Sequence, residues 1–172
     1  MSLLDSFSAD SVRRRRRGYR PILLGCVLLL VGALAAFSQR CRLVLVVGDS
    51  MLPTFRNGMI LAVDRRAYVE REPARGDLVV ARRRDEYLVK RIVGLPGETV
   101  ELRGGRLYVN EERKAEEYEI TSGALEVGKG LLAPGRFALL GDNRALGGGQ
   151  IAHAVVARED LMGRVAGVVV SW

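Results

Sequence analysis

The chain has 172 residues, room for one modest domain plus an appendage, and its hydrophobic content of 48% is that of an ordinary globular chain. Its formal charge of +7 would suggest a nucleic-acid partner until it is located. Residues 1–42 carry eight arginines against Asp5 and Asp10, a net of +6, which leaves +1 for residues 43–172 and argues against nucleic-acid binding.

Residues 1–12 are small and polar and read as disordered. With Arg13 to Arg17 they make a basic tail over residues 1–20. Pro21 to Gln39 follows, nineteen residues without a charge. As a helix it would span about 28 Å, close to the ~30 Å of a bilayer's hydrocarbon layer. The arginines ahead of it predict a cytoplasmic N-terminus and residues 43–172 on the far side of the cell membrane. Arg40 and Arg42 weaken that asymmetry without reversing it. The alternative is a cleaved signal peptide, since Ala33-Leu34-Ala35 resembles a cleavage site. The length of the run and the arginines at both ends favour a retained single-pass anchor over residues 21–39, with membrane lipid as a partner. Cys26 and Cys41 would lie about 22 Å apart on such a helix, too far to bridge. With one histidine, His153, and no cysteine pair in the exported part, neither a disulfide framework nor a metal site is expected, and no cofactor is implied.

Leu43 to Val47 reads as a buried strand. Gly48 and Asp49 turn the chain, and Pro53 forbids an immediate helix or central strand. Ser50 therefore sits on a tight bend beside Met51 and Leu52. It either completes a polar turn or presents a hydroxyl to a substrate, and the second role needs a base. Further strands are predicted at Met59–Val63, Leu78–Arg82, Tyr87–Val93, Thr99–Leu102, Leu107–Val109 and Phe137–Leu140. Val155–Ala157 and the stretch from Leu161 to Trp172 extend the set. Gly104-Gly105 marks a hairpin. Arg65 to Arg75 reads as a loop, Asn110 to Glu119 as a short helix or a solvated hairpin extension, and Thr121 to Pro134 as a glycine-rich loop. Many short strands between turn signals predict an all-β, partly closed antiparallel domain over residues 43–172, behind one transmembrane helix.

Candidate bases are few. His153 lies in an apolar run, where a lone histidine is more often packing than catalysis. Lysine is the more informative residue, because only Lys90, Lys114 and Lys129 occur among 27 basic residues. Arginine keeps its proton at any usable pH, whereas a desolvated lysine can release it. Lys114 stands among glutamates and Lys129 between glycines. Lys90 is mid-strand, and alternation places Leu88, Lys90 and Ile92 on one face. An inward lysine there would lose pKa to burial and serve as a general base; the other reading is a snorkelling lysine on an edge strand.

Three ordered stretches resemble the type I signal peptidase family. Gly48-Asp49-Ser50-Met51-Leu52-Pro53-Thr54 is similar to its serine motif. Lys90-Arg91-Ile92-Val93-Gly94-Leu95-Pro96-Gly97-Glu98 is similar to its lysine motif, and Gly141-Asp142-Asn143-Arg144 to the start of its third. Gly163-Arg164-Val165 and Trp172 resemble its final strand, so the likeness runs over residues 20–172. The resemblance implies a membrane-anchored serine endopeptidase that removes signal peptides from exported precursor proteins after small residues, of Ala-x-Ala type. Ser50 would be the nucleophile and Lys90 the general base. Gly48, Asp49, Met51 and Pro53 would form the oxyanion and substrate site, with the Ser50 amide as an oxyanion donor and backbone, or nothing, at Gly48. Arg91, Asp142, Asn143 and Arg144 would give structural support, Arg91 and Asp142 as an ion pair near the lysine. A monomer is expected.

The third motif departs from the pattern. Gly147, Gly149 and Ile151 stand where the family has a serine, an aspartate and an arginine. The chain is also short, so the extra domain of larger members is expected to be absent. A specialised maturation protease with few substrates, or a weakened β-domain that binds peptides without cutting them, is the alternative.

Overall fold

The structure is a computed structural model that describes residues 6–146 and 153–171. Helix α1 covers Ser6–Arg40, and its part Pro21–Arg40 is long and apolar enough to cross a membrane. Residues 6–12, expected to be disordered, belong to this helix; the arginine run after them is a good helix former and continues the apolar span backwards. The helix and the rest, Cys41–Trp172, are separate compact units.

The second unit is built from β1 (Cys41–Leu45), β2 (Ile60–Asp64), α2 (Ala67–Glu70), β3 (Leu78–Arg83), β4 (Glu86–Gly94), β5 (Thr99–Arg103), β6 (Arg106–Val109), β7 (Glu112–Arg113), β8 (Val127–Leu131), β9 (Arg136–Leu140), β10 (His153–Ala157) and β11 (Leu161–Val170). Seven strands form one sheet in the order β1-β2-β11-β3-β4-β9-β10, and four form another in the order β7-β6-β5-β8. Every ladder among the described residues is antiparallel. The domain is therefore all-β, as the spacing of strand and turn signals predicts.

Three local expectations change and one open alternative is decided. The run Leu43–Val47 is not a buried strand. β1 lies at a sheet edge and stops at Leu45, with Leu43 and Leu45 exposed and Val47 81% exposed. Val44 is half-buried and only Val46 is buried; the Val46 backbone is bound on both sides, N–H to Met59 O at 2.8 Å and O from Gly58 N at 2.9 Å. The stretch Arg65–Arg75 contains the one-turn helix α2. The glycine-rich stretch 121–134 contains β8, which needs only main chain to pair with β5. The charged stretch 110–119 takes the second of its two expected forms, a solvated hairpin extension: Asn110 and Glu111 take positive φ and turn the chain into the exposed two-residue β7, which pairs with β6.

Alternation buries β9 on both faces. Phe137 and Leu139 join Val79, Leu88, Ile92 and Val156 in one cluster. Ala138 and Leu140 join Val93, Val100, Leu102 and Leu107 in a second, where the small sheet meets β4 and β9. A third cluster, Val46, Met51, Phe55, Leu61 and Val165, lies under the Ser50 turn. Gly94 sits where the two sheets close, since a Cβ there would stand 2.4 Å from Val100 and 2.9 Å from the Ala138 methyl.

Candidate active site

Ser50 follows β1 on a turn held by its own backbone: Leu52 N–H donates to Asp49 O at 3.2 Å and Phe55 N–H to Met51 O at 2.9 Å. Met51 is 1% exposed and anchors the turn from beneath, so its side chain presents almost no surface. Gly48, at φ +85°, gives its N–H to Asn57 Oδ1 at 2.9 Å, which occupies that donor. Asp49 and Pro53 are exposed. Among the described residues no acceptor takes the Ser50 N–H.

Lys90 arrives from β4, opposite Val79 of β3. Leu88, Lys90 and Ile92 are all buried, Lys90 at 2% exposure, so the snorkelling alternative is not what is found. Its Nζ shares a hydrogen bond with Ser50 Oγ. Burial pushes the Lys90 ammonium down to about 8, while the charge of Asp142 opposes the shift. Among the described residues Ser50 is its one hydrogen-bond partner. His153 lies exposed on β10 without a bond to Ser50, Lys114 pairs with Glu112 at 3.2 Å, and Lys129 pairs with Glu111 at 2.5 Å.

The third motif ties the two groups together. Asn143 N–H donates to Ser50 O at 3.1 Å and Asn143 Nδ2 to Asp49 O at 3.0 Å. Asp142, fully buried, receives Arg91 on both oxygens, Nε at 2.9 Å and an Nη at 2.6 Å. Neighbouring strand residues point to opposite faces, so Arg91 and Lys90 reach separate partners from adjacent positions. Arg144 is 1% exposed and pairs with Glu116. Gly147, Gly149 and Ile151, like Trp172, lie outside the described residues.

Five residues were not singled out for a role by sequence reasoning. Thr54 Oγ1 donates to Asp142 Oδ2 at 2.6 Å; it lies inside the quoted serine motif, which was the available signal. Asn57 holds Gly48, and Thr121 Oγ1 donates to Leu52 O at 3.2 Å. Glu116 and Tyr118 pack against the third motif and Arg91. Their partners are 28 and 27 residues away, so no local pattern announces them.

A deprotonatable amine beside a serine hydroxyl on a braced turn suits acyl transfer. The chain as a whole is similar to known proteins. The family model described as signal peptidase, peptidase S26, matches residues 19–170. Signal peptidase I of Leptolyngbya laminosa is 31% identical over 157 residues, covering 86% of this chain and 75% of that protein. Signal peptidase IB of Staphylococcus aureus (strain Mu50 / ATCC 700699) is 28% identical over 141 residues, 70% of this chain and 73% of that one. A solved signal peptidase I from Enterococcus faecalis V583 is 25% identical, with a TM-score of 0.42 over 58% of this chain and 98% of that chain.

Proposed function

The chain belongs to the signal peptidase family S26, and from that premise we propose a membrane-anchored serine endopeptidase that cleaves signal peptides from exported precursors after small residues. One observation carries the reading: a buried lysine amine within hydrogen-bond reach of a serine hydroxyl. Neutral Lys90 takes the proton of Ser50 Oγ as the oxygen attacks the scissile carbonyl. The oxyanion forms near the Ser50 N–H. The lysine ammonium then passes the proton to the leaving amine, which breaks the peptide bond and leaves an acyl-Ser50. Water, deprotonated by Lys90, releases the acid and regenerates the hydroxyl. The Pro21–Arg40 span supplies the anchor, and the arginines ahead of it hold the N-terminus in the cytoplasm with residues 43–172 across the membrane.

The test is cleavage of an Ala-x-Ala precursor by the full-length chain in detergent micelles. Ser50→Ala removes the nucleophile, a loss of about a millionfold where such groups act as a unit. Lys90→Ala and Lys90→Arg lose at least the 100- to 10,000-fold typical of a general base, roughly stated, with arginine no better than alanine because its proton does not leave. In the wild type kcat/KM rises with pH through about 8, where Lys90 becomes neutral, and levels above it. Undiminished cleavage by Lys90→Arg would refute the base assignment.

A further inference from the structure

The segment between β7 and β8 is mostly irregular, yet it is bonded to both halves of the site. Thr121 N–H donates to Asp142 O at 3.0 Å and Thr121 O accepts from Arg144 N at 2.9 Å, a rung beside the third motif. Thr121 Oγ1 reaches Leu52 O in the serine turn. Upstream, the Tyr118 ring covers Arg91, whose guanidinium carbon is 3.7 Å from the ring centre. The edges of that guanidinium are already taken, by both Asp142 oxygens and by Gly76 O at 3.0 Å, so the tyrosine adds a wall over its face. Tyr118 Oη donates to Glu116 Oε1. Glu116 receives both terminal nitrogens of Arg144, and Arg144 Nε donates back to Gly141 O at 3.0 Å, beside Asp142. A closed ring results: Arg91, Asp142, Arg144, Glu116, Tyr118 and Arg91 again.

We propose that Tyr118 and Glu116 are positioning residues of the peptidase site, locking Arg91 and Asp142 so that β4 presents Lys90 to Ser50 at bonding distance. The inference rests on the Ser50–Lys90 reading above. Asp142 is the pivot, because it is bonded to Arg91 beside Lys90 and, through neighbouring Asn143, to the Ser50 turn. Opening the ring at Tyr118 leaves the Arg91–Asp142 bonds with a free face and lets the third motif drift. Misplacement by about 1 Å can cost ~100-fold in rate, so a side chain that never meets the substrate can control turnover.

The test compares Tyr118→Phe with Tyr118→Ala in the full-length chain, with active sites counted by the acyl-enzyme burst and kcat given per counted site. Phenylalanine keeps the ring face over Arg91 but cuts the Oη bond to Glu116, so it should lower kcat only part of the way, by about three- to tenfold. Alanine should lower kcat roughly 10- to 100-fold with KM changed less than about twofold, the signature of lost geometry rather than lost binding. A residue that only stabilises the fold would reduce the count of sites and leave kcat per site alone. If Tyr118→Ala gives no countable sites, Tyr118→Leu, which fills the space without a π face, carries the same expectation. Equal losses in Phe and Ala, no loss in either, or a raised KM at unchanged kcat would each overturn the inference while leaving the dyad standing. A wild-type chain without turnover would overturn the dyad reading and this one with it.

Discussion

The arginine–carboxylate pairs Arg91–Asp142, beside the dyad, and Arg103–Glu101, on the small sheet, have the same closest N···O separation, 2.6 Å. Their surroundings differ. Asp142 is fully buried and also receives Thr54 Oγ1, whereas Arg103 is more than half exposed and Glu101 bonds it from two residues away on one strand. Distance alone therefore ranks neither. Burial and the number of independent tethers do, because a buried charge that loses its partner cannot recover water. Among the described residues the buried charges other than Asp77 gather around the dyad and the third motif, and Arg103 of the small sheet stays on the surface.

Three substitutions probe that contrast. The largest effect belongs to Asp142→Ala, which leaves Arg91 buried and unpaired: urea unfolding of the full-length chain in micelles should show a loss of about 3–5 kcal/mol, with cleavage falling alongside. Next is Lys90→Met, with the opposite sign on stability. The folded pKa of Lys90, about 8, lies below its ordinary 10.5, so the unfolded chain binds more protons across that window. Wild-type stability should rise from pH 8 to 10.5, and the cost of burying the amine is fully present below about 8. Removing it should stabilise the chain by up to about 3 kcal/mol at pH 7 and flatten the rise, at the expense of all activity. A stability that fell through the same window would contradict the buried-amine argument. Smallest of all is Glu101→Gln, expected to leave the melting midpoint unmoved at moderate salt; a clear shift would mean that surface pairs matter here as much as buried ones.

Much of this was legible in the chain itself, for reasons that differ by residue. Hydrophobic period and turn chemistry place β2, β3, β4, β5, β6 and β9 within a residue or two, because each is a local pattern. Lys90 stands out because arginine is used nearly everywhere else, and its strand position decides its burial. The apolar run of β1 reads as buried yet lies at a sheet edge, because such a run says nothing about which sheet neighbour is missing. β8 was invisible because Gly128 and Gly130 give no side-chain period to read, and its pairing to β5 is purely main chain. Arg91 would have been assigned to a solvent face by alternation alone; Asp142, 51 residues on, is what takes it inside. Glu116 and Tyr118 sit in a stretch whose charge density suggests solvation, and only the folded chain brings them to Arg144 and Arg91.

The hairpin tip between β5 and β6 is fastened to the third motif. Gly105 O accepts from a terminal nitrogen of Arg144 at 2.7 Å. A methyl group at Gly105 would lie 2.2 Å from Gly123 O, and one at Gly123 would lie 2.0 Å from Arg144 O. Three stretches of main chain are thus stacked with no space for a side chain between them. The four-stranded sheet is consequently no detachable accessory. A tag or reporter loop spliced in at Gly104-Gly105 would pull on Arg144 and act as a remote brake on the serine, even though that tip looks like an ordinary surface turn.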